Sequence, residues 1–118
     1  MAENKPIEVR YYRPAPDDAL VFNRIWGLVD TATGQPITNS ISAAYLHIAQ
    51  DGKQRLELSL GDGLTWNDTD KSVLVQITNS KVQFIRTTTD MTYSFYVVWD
   101  HGAAQTIREG TVTAVKVD

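Results

Sequence analysis

The chain of 118 residues contains no cysteine, which excludes disulfide bonds and thiolate metal sites. No apolar run approaches the roughly 18 residues of a membrane-spanning helix, and the opening segment MAENKPIEV lacks the apolar stretch of a signal peptide. The net charge of −3 disfavours nucleic acid as a partner, because phosphate binding requires clustered Lys and Arg. We therefore expect one soluble domain that is not exported and has neither a nucleic-acid nor a membrane partner.

Residue patterns typical of catalytic and cofactor sites are also missing. The two histidines, His47 and His101, fall in separate predicted elements, and no G-x-S-x-G, Walker, H-E-x-x-H or dinucleotide-binding motif occurs. A metal site or an acid–base pair would need further convergent side chains. We therefore predict that the protein is not an enzyme and has no catalytic residue, resident metal or cofactor.

Oxygen-bearing side chains are concentrated in two neighbouring loops, at Asp62, Asn67, Asp68 and Asp70. Calcium uses such ligands, but the spacing does not match an EF-hand loop, and Asp and Asn are also frequent turn residues. Calcium binding by Asp62, Asp68 and Asp70 therefore stays open from the sequence.

Alternation of apolar and polar residues, interrupted by turns that contain Gly, Asn or Asp, recurs along most of the chain and indicates short β-strands. Between residues 79 and 90 the alternation stops, and Val82, Phe84 and Ile85 have the spacing of one helical turn. The pattern predicts an all-β fold, an antiparallel Ig-like β-sandwich of seven or eight strands with one short helical crossover. The predicted strands are 7–12, 20–29, 41–50, 55–60, 64–66, 72–78, 92–99 and 105–117.

Pro14 and Pro16 divide the chain, since two prolines separated by one residue cannot lie in a central strand. We assign residues 1–18 to an N-terminal arm with a Pro-rich link and residues 19–118 to a single β-sandwich domain. The arm segment IEVRYY is a candidate for strand addition to another subunit, and an ordinary edge strand of the same domain is the alternative. Its candidate interface residues are Ile7, Val9, Tyr11 and Tyr12.

The last part of the chain, from residue 91, predicts a closing hairpin with a turn at Asp100-His101-Gly102. If Tyr93, Phe95 and Val97 face the core, alternation directs Tyr96 and Val98 outward. A partner could cover that outward patch, so Tyr96 and Val98 are candidate interface residues.

The second strand of the hairpin contains a glycine, Gly110, among Thr and Val residues. Such a glycine predicts a bulge that changes which side chains face inward. In that register Val112 and Ala114 face the core, and Val115 and Val117 face a partner, which makes these two valines further interface candidates.

Three segments carry a resemblance to a known family. LVDTATGQPIT (28–38) resembles a "Leu-x-Asp-x-x-Gly-x-Pro" element, and LELSLGDGLTW (56–66) is similar to a leucine-rich strand with a Gly-containing turn. YSFYVVWDHGAAQTIREGTVTAV (93–115) resembles an aromatic strand, a polar turn and a "Glu-Gly-x-Val-x-Val" strand. Together these segments resemble the small virion proteins of tailed phages and prophages that have Ig-like sandwich modules and are associated with the tail or baseplate.

The resemblance implies a non-enzymatic virion structural protein, assembled in the host cytoplasm. Many copies would contact one another and other phage structural proteins in the tail, the baseplate or the fibre-attachment region. Two alternatives remain open. One is a capsid decoration or cement protein that stabilises the head. The other is a carbohydrate-binding module that contacts host glycans through exposed aromatic side chains such as Trp66 and Tyr96.

Overall fold

The structure is a computed structural model that describes residues 3–12, 19–29, 34, 37–82, 84 and 90–117; the side chains of residues 3, 11, 12, 116 and 117 lie outside this description. Strands account for 72% of the described residues, and no helix among them reaches seven residues, so the prediction of an all-β fold is confirmed.

Each of the eight predicted strands is present, and the segments 7–12, 41–50 and 72–78 have the predicted bounds. A further strand of two residues lies near the N-terminus. The elements are β1 Glu3–Asn4, β2 Ile7–Tyr12, β3 Leu20–Gly27, β4 Ile41–Gln50, β5 Lys53–Leu60, β6 Gly63–Asn67, β7 Ser72–Thr78, a 3-10 helix Asn79–Val82, β8 Met91–Trp99 and β9 Ala104–Val117.

Eight strands follow one another in the hydrogen-bonded order β1-β9-β8-β4-β5-β6-β7-β3, and β2 pairs with the second half of β9. The sheet is mixed and nearly closed into a barrel. The pairs β1–β9, β2–β9 and β5–β6 are parallel, so a purely antiparallel arrangement is not confirmed. The hairpins β4–β5, β6–β7 and β8–β9 produce antiparallel pairs, whereas β1 and β2 reach β9 from the opposite end of the chain, where no hairpin sets their direction. The parallel contact of β5 with β6 consists of two residue pairs.

The interior of the sheet contains the alternate apolar residues of the central strands. Leu46 and Ile48 of β4 and Phe95 and Val97 of β8 are fully buried, as period-two alternation requires. The ring of Trp26 packs edge-on against Phe95, with 5.2 Å between ring centroids. Phe22 and Tyr93 lie 5.9 and 6.0 Å from the same indole ring. An aromatic cluster therefore fixes β3 against β8.

The N-terminal arm is part of this core. Ile7 is 6% exposed and Val9 is fully buried, and β2 runs parallel to β9 with Ile7 opposite Val112. In this structure Ile7 and Val9 therefore pack inside their own chain and are not surface contacts for another subunit, which agrees with the alternative of a strand of the same domain. The Pro-rich link at residues 13–18, and with it the predicted division at residue 18, lies outside the described residues.

Gly110 differs from its predicted role. The register irregularity of β9 lies opposite the step from Phe95 to Tyr96, not at Gly110. A Cβ atom at residue 110 would instead lie 2.5 Å from the carbonyl oxygen of Lys5, and the Lys5 amide donates to the Glu109 carbonyl at 2.9 Å. The glycine therefore admits the N-terminal backbone against β9, and Val112 beyond it is buried as predicted.

The predicted helical crossover corresponds to a single 3-10 turn over Asn79–Val82. Asn79 is 1% exposed. Its backbone N–H donates to the Ala19 carbonyl at 2.7 Å, which links the end of β7 to the start of β3. Of the other residues assigned to the turn, Val82 is fully buried and residue 85 lies outside the described residues.

Candidate functional site

Four neighbouring strands, β5-β4-β8-β9, carry both polar and aromatic side chains on the side opposite the core. We call the side of these strands opposite the core the outer face. Because opposed residues of paired strands lie side by side, the registers arrange the outer face in cross-strand rows. From one end to the other, these rows are Ala43, Val98 and Ala104; Ser59, Tyr45, Tyr96 and Thr106; Glu57, His47, Ser94 and Glu109; and Gln54, Ala49, Thr92 and Thr111.

The aromatic pair of Tyr45 and Tyr96 lies at the centre of the outer face. The two residues are directly opposed on β4 and β8, and their rings stack with 5.1 Å between centroids and an interplanar angle of 28°. Both side chains are half-buried, as is Val98 in the next row. Such a pair contributes about 0.5–1.5 kcal/mol beyond the area it buries. Tyr96 and Val98 lie on the outer face, the direction that alternation along β8 predicts for both.

A polar row follows the aromatic pair. His47 Nε2 lies 2.8 Å from Glu57 Oε2, and the His47 ring packs edge-on against Tyr96 with 5.5 Å between centroids. Ser94 is opposite His47 on β8, and Glu109 is opposite Ser94 on β9. This set is not recognisable in the sequence, because its members are far apart in the chain and only the strand register brings them together.

Serine, histidine and glutamate in one row could suggest nucleophilic catalysis. Ser94, however, lies in β8 between two hydrogen-bonded neighbours, β4 and β9. Ladder pairing there engages the backbone N–H groups that an oxyanion hole would need. The His47–Glu57 contact is also partly exposed, with 25% and 52% of the two side chains accessible. We therefore assign no reaction to this row.

The polar row, through His47, Ser94 and Glu109, and the row beyond it line a shallow groove of about 460 Å³. Small side chains such as Ala49, Thr92 and Thr111 form its floor, because the row that they belong to has no large residue. Asn4 of β1 and Gln54 of β5 stand at its two ends. The groove therefore offers hydroxyl and amide groups beside the two tyrosines.

The loop acids considered for calcium are engaged separately. Asp68 Oδ1 accepts hydrogen bonds from Ser40 Oγ at 2.6 Å, Lys71 Nζ at 2.8 Å and Trp66 Nε1 at 3.2 Å. Asp62 pairs with Lys81 at 3.1 Å.

The third loop acid, Asp70, is occupied in its own turn, where Asn67 Nδ2 donates to Asp70 Oδ2 at 3.1 Å. Across the described ranges no three His, Asp or Glu side chains are grouped as metal ligands would be. Asp68 instead joins the β6–β7 loop to the residue that precedes β4, through Ser40.

The other predicted interface residues do not belong to the cross-strand rows of the outer face as far as their side chains are described. Val115 is half-buried and belongs to the half of β9 that pairs with β2, where it is opposite Arg10. The side chains of Tyr11, Tyr12 and Val117 lie outside the described residues. The site that the structure assembles from the prediction is therefore limited to Tyr96 and Val98, to which it adds Tyr45 and His47.

The aromatic residues considered for sugar stacking are also separated. Trp66 lies on β6 opposite the buried Val73, packs against the hydrophobic core and donates its indole N–H to Asp68. Tyr96 lies on the outer face of β8. Trp66 and Tyr96 therefore do not share one binding surface.

No protein-family model matches this sequence, and no curated protein matches it either. Within the part of the chain that the structure describes, no helix is both long and apolar enough to cross a membrane.

Proposed function

We propose that this chain is a non-enzymatic structural protein of a tailed-phage particle that docks onto neighbouring particle proteins through its outer face. The observation that carries the proposal is the stacked pair of Tyr45 and Tyr96 at the centre of that face. The resemblance of residues 28–38, 56–66 and 93–115 to phage virion proteins supports the particle as the setting.

The arrangement of the outer face supports a docking role. Protein interfaces are enriched in tyrosine and have a polar rim around their buried centre. Here Tyr45, Tyr96 and Val98 form the centre, and the carboxylates of Glu57 and Glu109 lie to one side in the polar row. Rigid strands carry all of these residues, so little conformational entropy is lost when a partner covers them.

We also propose that the fold is an Ig-like β-sandwich within the observed all-β sheet. The joint between β5 and β6 supports this, since it consists of only two residue pairs, Ser59–Gly63 and Leu60–Leu64. On either side of the joint, β9-β8-β4-β5 and β6-β7-β3 would form the two sheets, with the core between them. An experimental structure tests this assignment through the angle between the two strand sets, which is about 30° in aligned sandwiches.

The proposal is tested by incorporation into particles. Chains with Tyr45→Ser and Tyr96→Ser together are supplied to a phage that lacks its own copy, and the protein in purified particles is quantified by mass spectrometry. We expect at least a tenfold loss of incorporation, because both anchors of the interface are removed. Thr65→Ala, an exposed change on β6, serves as the matched control and keeps normal incorporation.

Thermal unfolding of each purified variant shows whether the domain remains folded. Absence of the wild-type protein from purified particles contradicts the proposal. Incorporation of the folded double variant at the wild-type level contradicts the role of the outer face.

The location within the particle separates the tail, baseplate or fibre assignment from a capsid decoration protein. Both kinds of protein bind their neighbours by burying surface side chains, so the outer face does not distinguish a tail component from a capsid decoration protein. Particles with and without the protein are challenged by heat and osmotic shock. A tail or baseplate component leaves DNA retention by the head unchanged, whereas a head-stabilising protein prevents loss of DNA. We expect unchanged DNA retention by the head.

Binding of host glycans is a second candidate, and the groove beside the tyrosine pair favours it. Hydroxyl and amide groups of Thr92, Ser94 and Gln54 line this groove, and such groups hydrogen-bond to sugar hydroxyls. Screening of the purified protein on a glycan array tests it. Binding that is lost in Tyr96→Ala and kept in Trp66→Ala would support this candidate, because the ring of Tyr96 packs against His47, which lines the groove, whereas Trp66 lies on β6. No binding to any glycan removes it.

A further inference from the structure

A second surface, at the free edge of the sheet, has different chemistry from the outer face. Among the described residues, the exposed large hydrophobic side chains are Leu20, Ile25 and Val29, which are 42%, 69% and 48% exposed. Two of them belong to β3, and Val29 follows two residues after its end. A concentration of exposed aliphatic residues on one strand indicates a contact surface more strongly than scattered residues would.

The second side of this strand has no ladder among the described residues. There β3 is the last strand in the sheet order and pairs with β7, while β2 contacts β3 without pairing with it. Edge strands of monomeric proteins are commonly protected by charged residues or Pro, and β3 contains no Pro and a single charged residue, Arg24. Its register irregularity lies near its start, between Leu20 and Phe22, which leaves Asn23–Gly27 regular.

The strand is suited to a second copy of itself. In an antiparallel pair centred on Ile25, the most exposed aliphatic side chain lies against Ile25 of the second copy. Arg24 is then opposite Trp26 and Asn23 is opposite Gly27, so the one charged residue of the strand does not face its own copy. A pair centred on Arg24 would oppose two like charges, which is destabilising.

We propose that two copies of this chain associate through β3, which pairs antiparallel with β3 of the second copy around a two-fold axis at Ile25. The two β6-β7-β3 segments then form one continuous six-stranded sheet across the dimer. The contact is isologous, because the same strand serves on both sides. It uses a different surface from the outer face, so it leaves Tyr45 and Tyr96 accessible to particle proteins.

Charge substitution at Ile25 tests the two-fold register directly. Analytical ultracentrifugation of the purified full chain is expected to show a dimer for the wild type and a monomer for Ile25→Lys and for Ile25→Glu. Each variant alone opposes two like charges, whereas an equimolar mixture of both opposes Lys to Glu and is expected to restore the dimer. Thr65→Lys is the matched control, since Thr65 lies in the same cross-strand row through Leu74 but away from the edge.

The absence of cysteine in the chain permits a second readout. Directly opposed residues of antiparallel strands have Cα atoms about 4.5–5.5 Å apart, within the range of a disulfide. Ile25→Cys is therefore expected to give a covalent dimer under mild oxidation, and Thr65→Cys is not.

A wild-type monomer at 100 µM overturns the proposal, as does a dimer that survives Ile25→Lys or a mixture that stays monomeric. Because these measurements use the purified protein, they are independent of whether the chain is a component of phage particles.

Discussion

At the scale of single residues, a network of polar contacts around Tyr93 connects the N-terminal arm with β8, β9 and β3. The Tyr93 hydroxyl donates to the Lys5 carbonyl and accepts a hydrogen bond from Arg108 Nε at 2.9 Å. The Arg108 guanidinium in turn lies over the Trp26 ring, 4.6 Å from its centroid. Tyr93 thereby ties the N-terminal arm to β8 and β9, and Arg108 ties β9 to β3.

Removal of the Tyr93 hydroxyl measures how much this network contributes to the free energy of unfolding. Tyr93→Phe preserves the packed ring but leaves the Lys5 carbonyl and Arg108 without this partner, so we expect a loss of about 1–3 kcal/mol in the free energy of unfolding. Urea unfolding followed by tryptophan fluorescence measures it. The matched change Tyr96→Phe, on the outer face, is expected to cost less, and an equal loss in both variants would contradict the role of Tyr93.

Asp68 gives a prediction about pH. Hydrogen bonds from Lys71, Ser40 and Trp66, with that of Lys71 the strongest, lower the pKa of Asp68 from 3.8 to about 2. Because the folded pKa lies below the unfolded value, the ionised carboxylate stabilises the fold above pH 3.8, and this contribution is lost as the pH falls towards 2. The unfolding midpoints of the wild type and Asp68→Asn should therefore differ at pH 7 and converge near pH 2.

The Ser40→Ala variant keeps the carboxylate and removes one of its donors, so its pH dependence should lie between those of the wild type and Asp68→Asn. A midpoint difference that stays constant from pH 7 to pH 2 would show that Asp68 does not act through its charge.

At the scale of elements, the positions of the strands in the sequence were predictable, whereas the pairing of each strand with its neighbours in the sheet was not. Alternation located β2, β4 and β7 with their observed bounds, because a strand with one buried face leaves a period of two in its own residues. The parallel approach of β1 and β2 to β9 depends on contacts between the two ends of the chain, which no local pattern records. The same limit explains why the row of His47 and Ser94 was missed.

Gly110 shows how a local pattern can suggest the wrong cause. A glycine within a strand indicates either a bulge or a close backbone approach, and the sequence does not distinguish them. Here the approach of Lys5 is the reason, while the irregularity lies elsewhere in β9.

Replacement of Gly110 by alanine tests this interpretation. The added methyl group would lie 2.5 Å from the Lys5 carbonyl oxygen, so the N-terminal segment must move, at a cost of about 1–3 kcal/mol. We expect faster hydrogen exchange at the β2 amides and little change in β4 and β7. Gly27→Ala is the control, since a Cβ atom there meets nothing within 4 Å. Unchanged exchange in β2 would mean that Lys5 does not hold the arm at Gly110.

At the scale of the whole molecule, we propose two contact surfaces of different character. The outer face has an aromatic centre with a polar row beside it, whereas the edge at β3 exposes aliphatic side chains and, among the described residues, a backbone that pairs on one side. A protein with two such surfaces can associate with a copy of itself and still bind a different neighbour. This combination suits a repeated component of a large particle.

The extent to which this site was predictable follows from its geometry. The outward direction of Tyr96 and Val98 could be inferred from alternation within β8, because both residues belong to one strand. The stacking of Tyr96 on Tyr45 required the β4–β8 register, which the sequence does not specify. The burial of Ile7 and Val9 could not be inferred from the sequence, because it depends on the pairing of β2 with β9.

The most direct test of the proposed role is a comparison of side-chain accessibility in the free protein and in purified particles. Hydroxyl-radical footprinting, read out by mass spectrometry, reports the reactivity of individual tyrosine and tryptophan side chains. We expect Tyr45 and Tyr96 to lose reactivity at least fivefold in the particle, while Trp66, which is not on the outer face, changes little. Equal reactivity of the two tyrosines in both samples would contradict docking through the outer face.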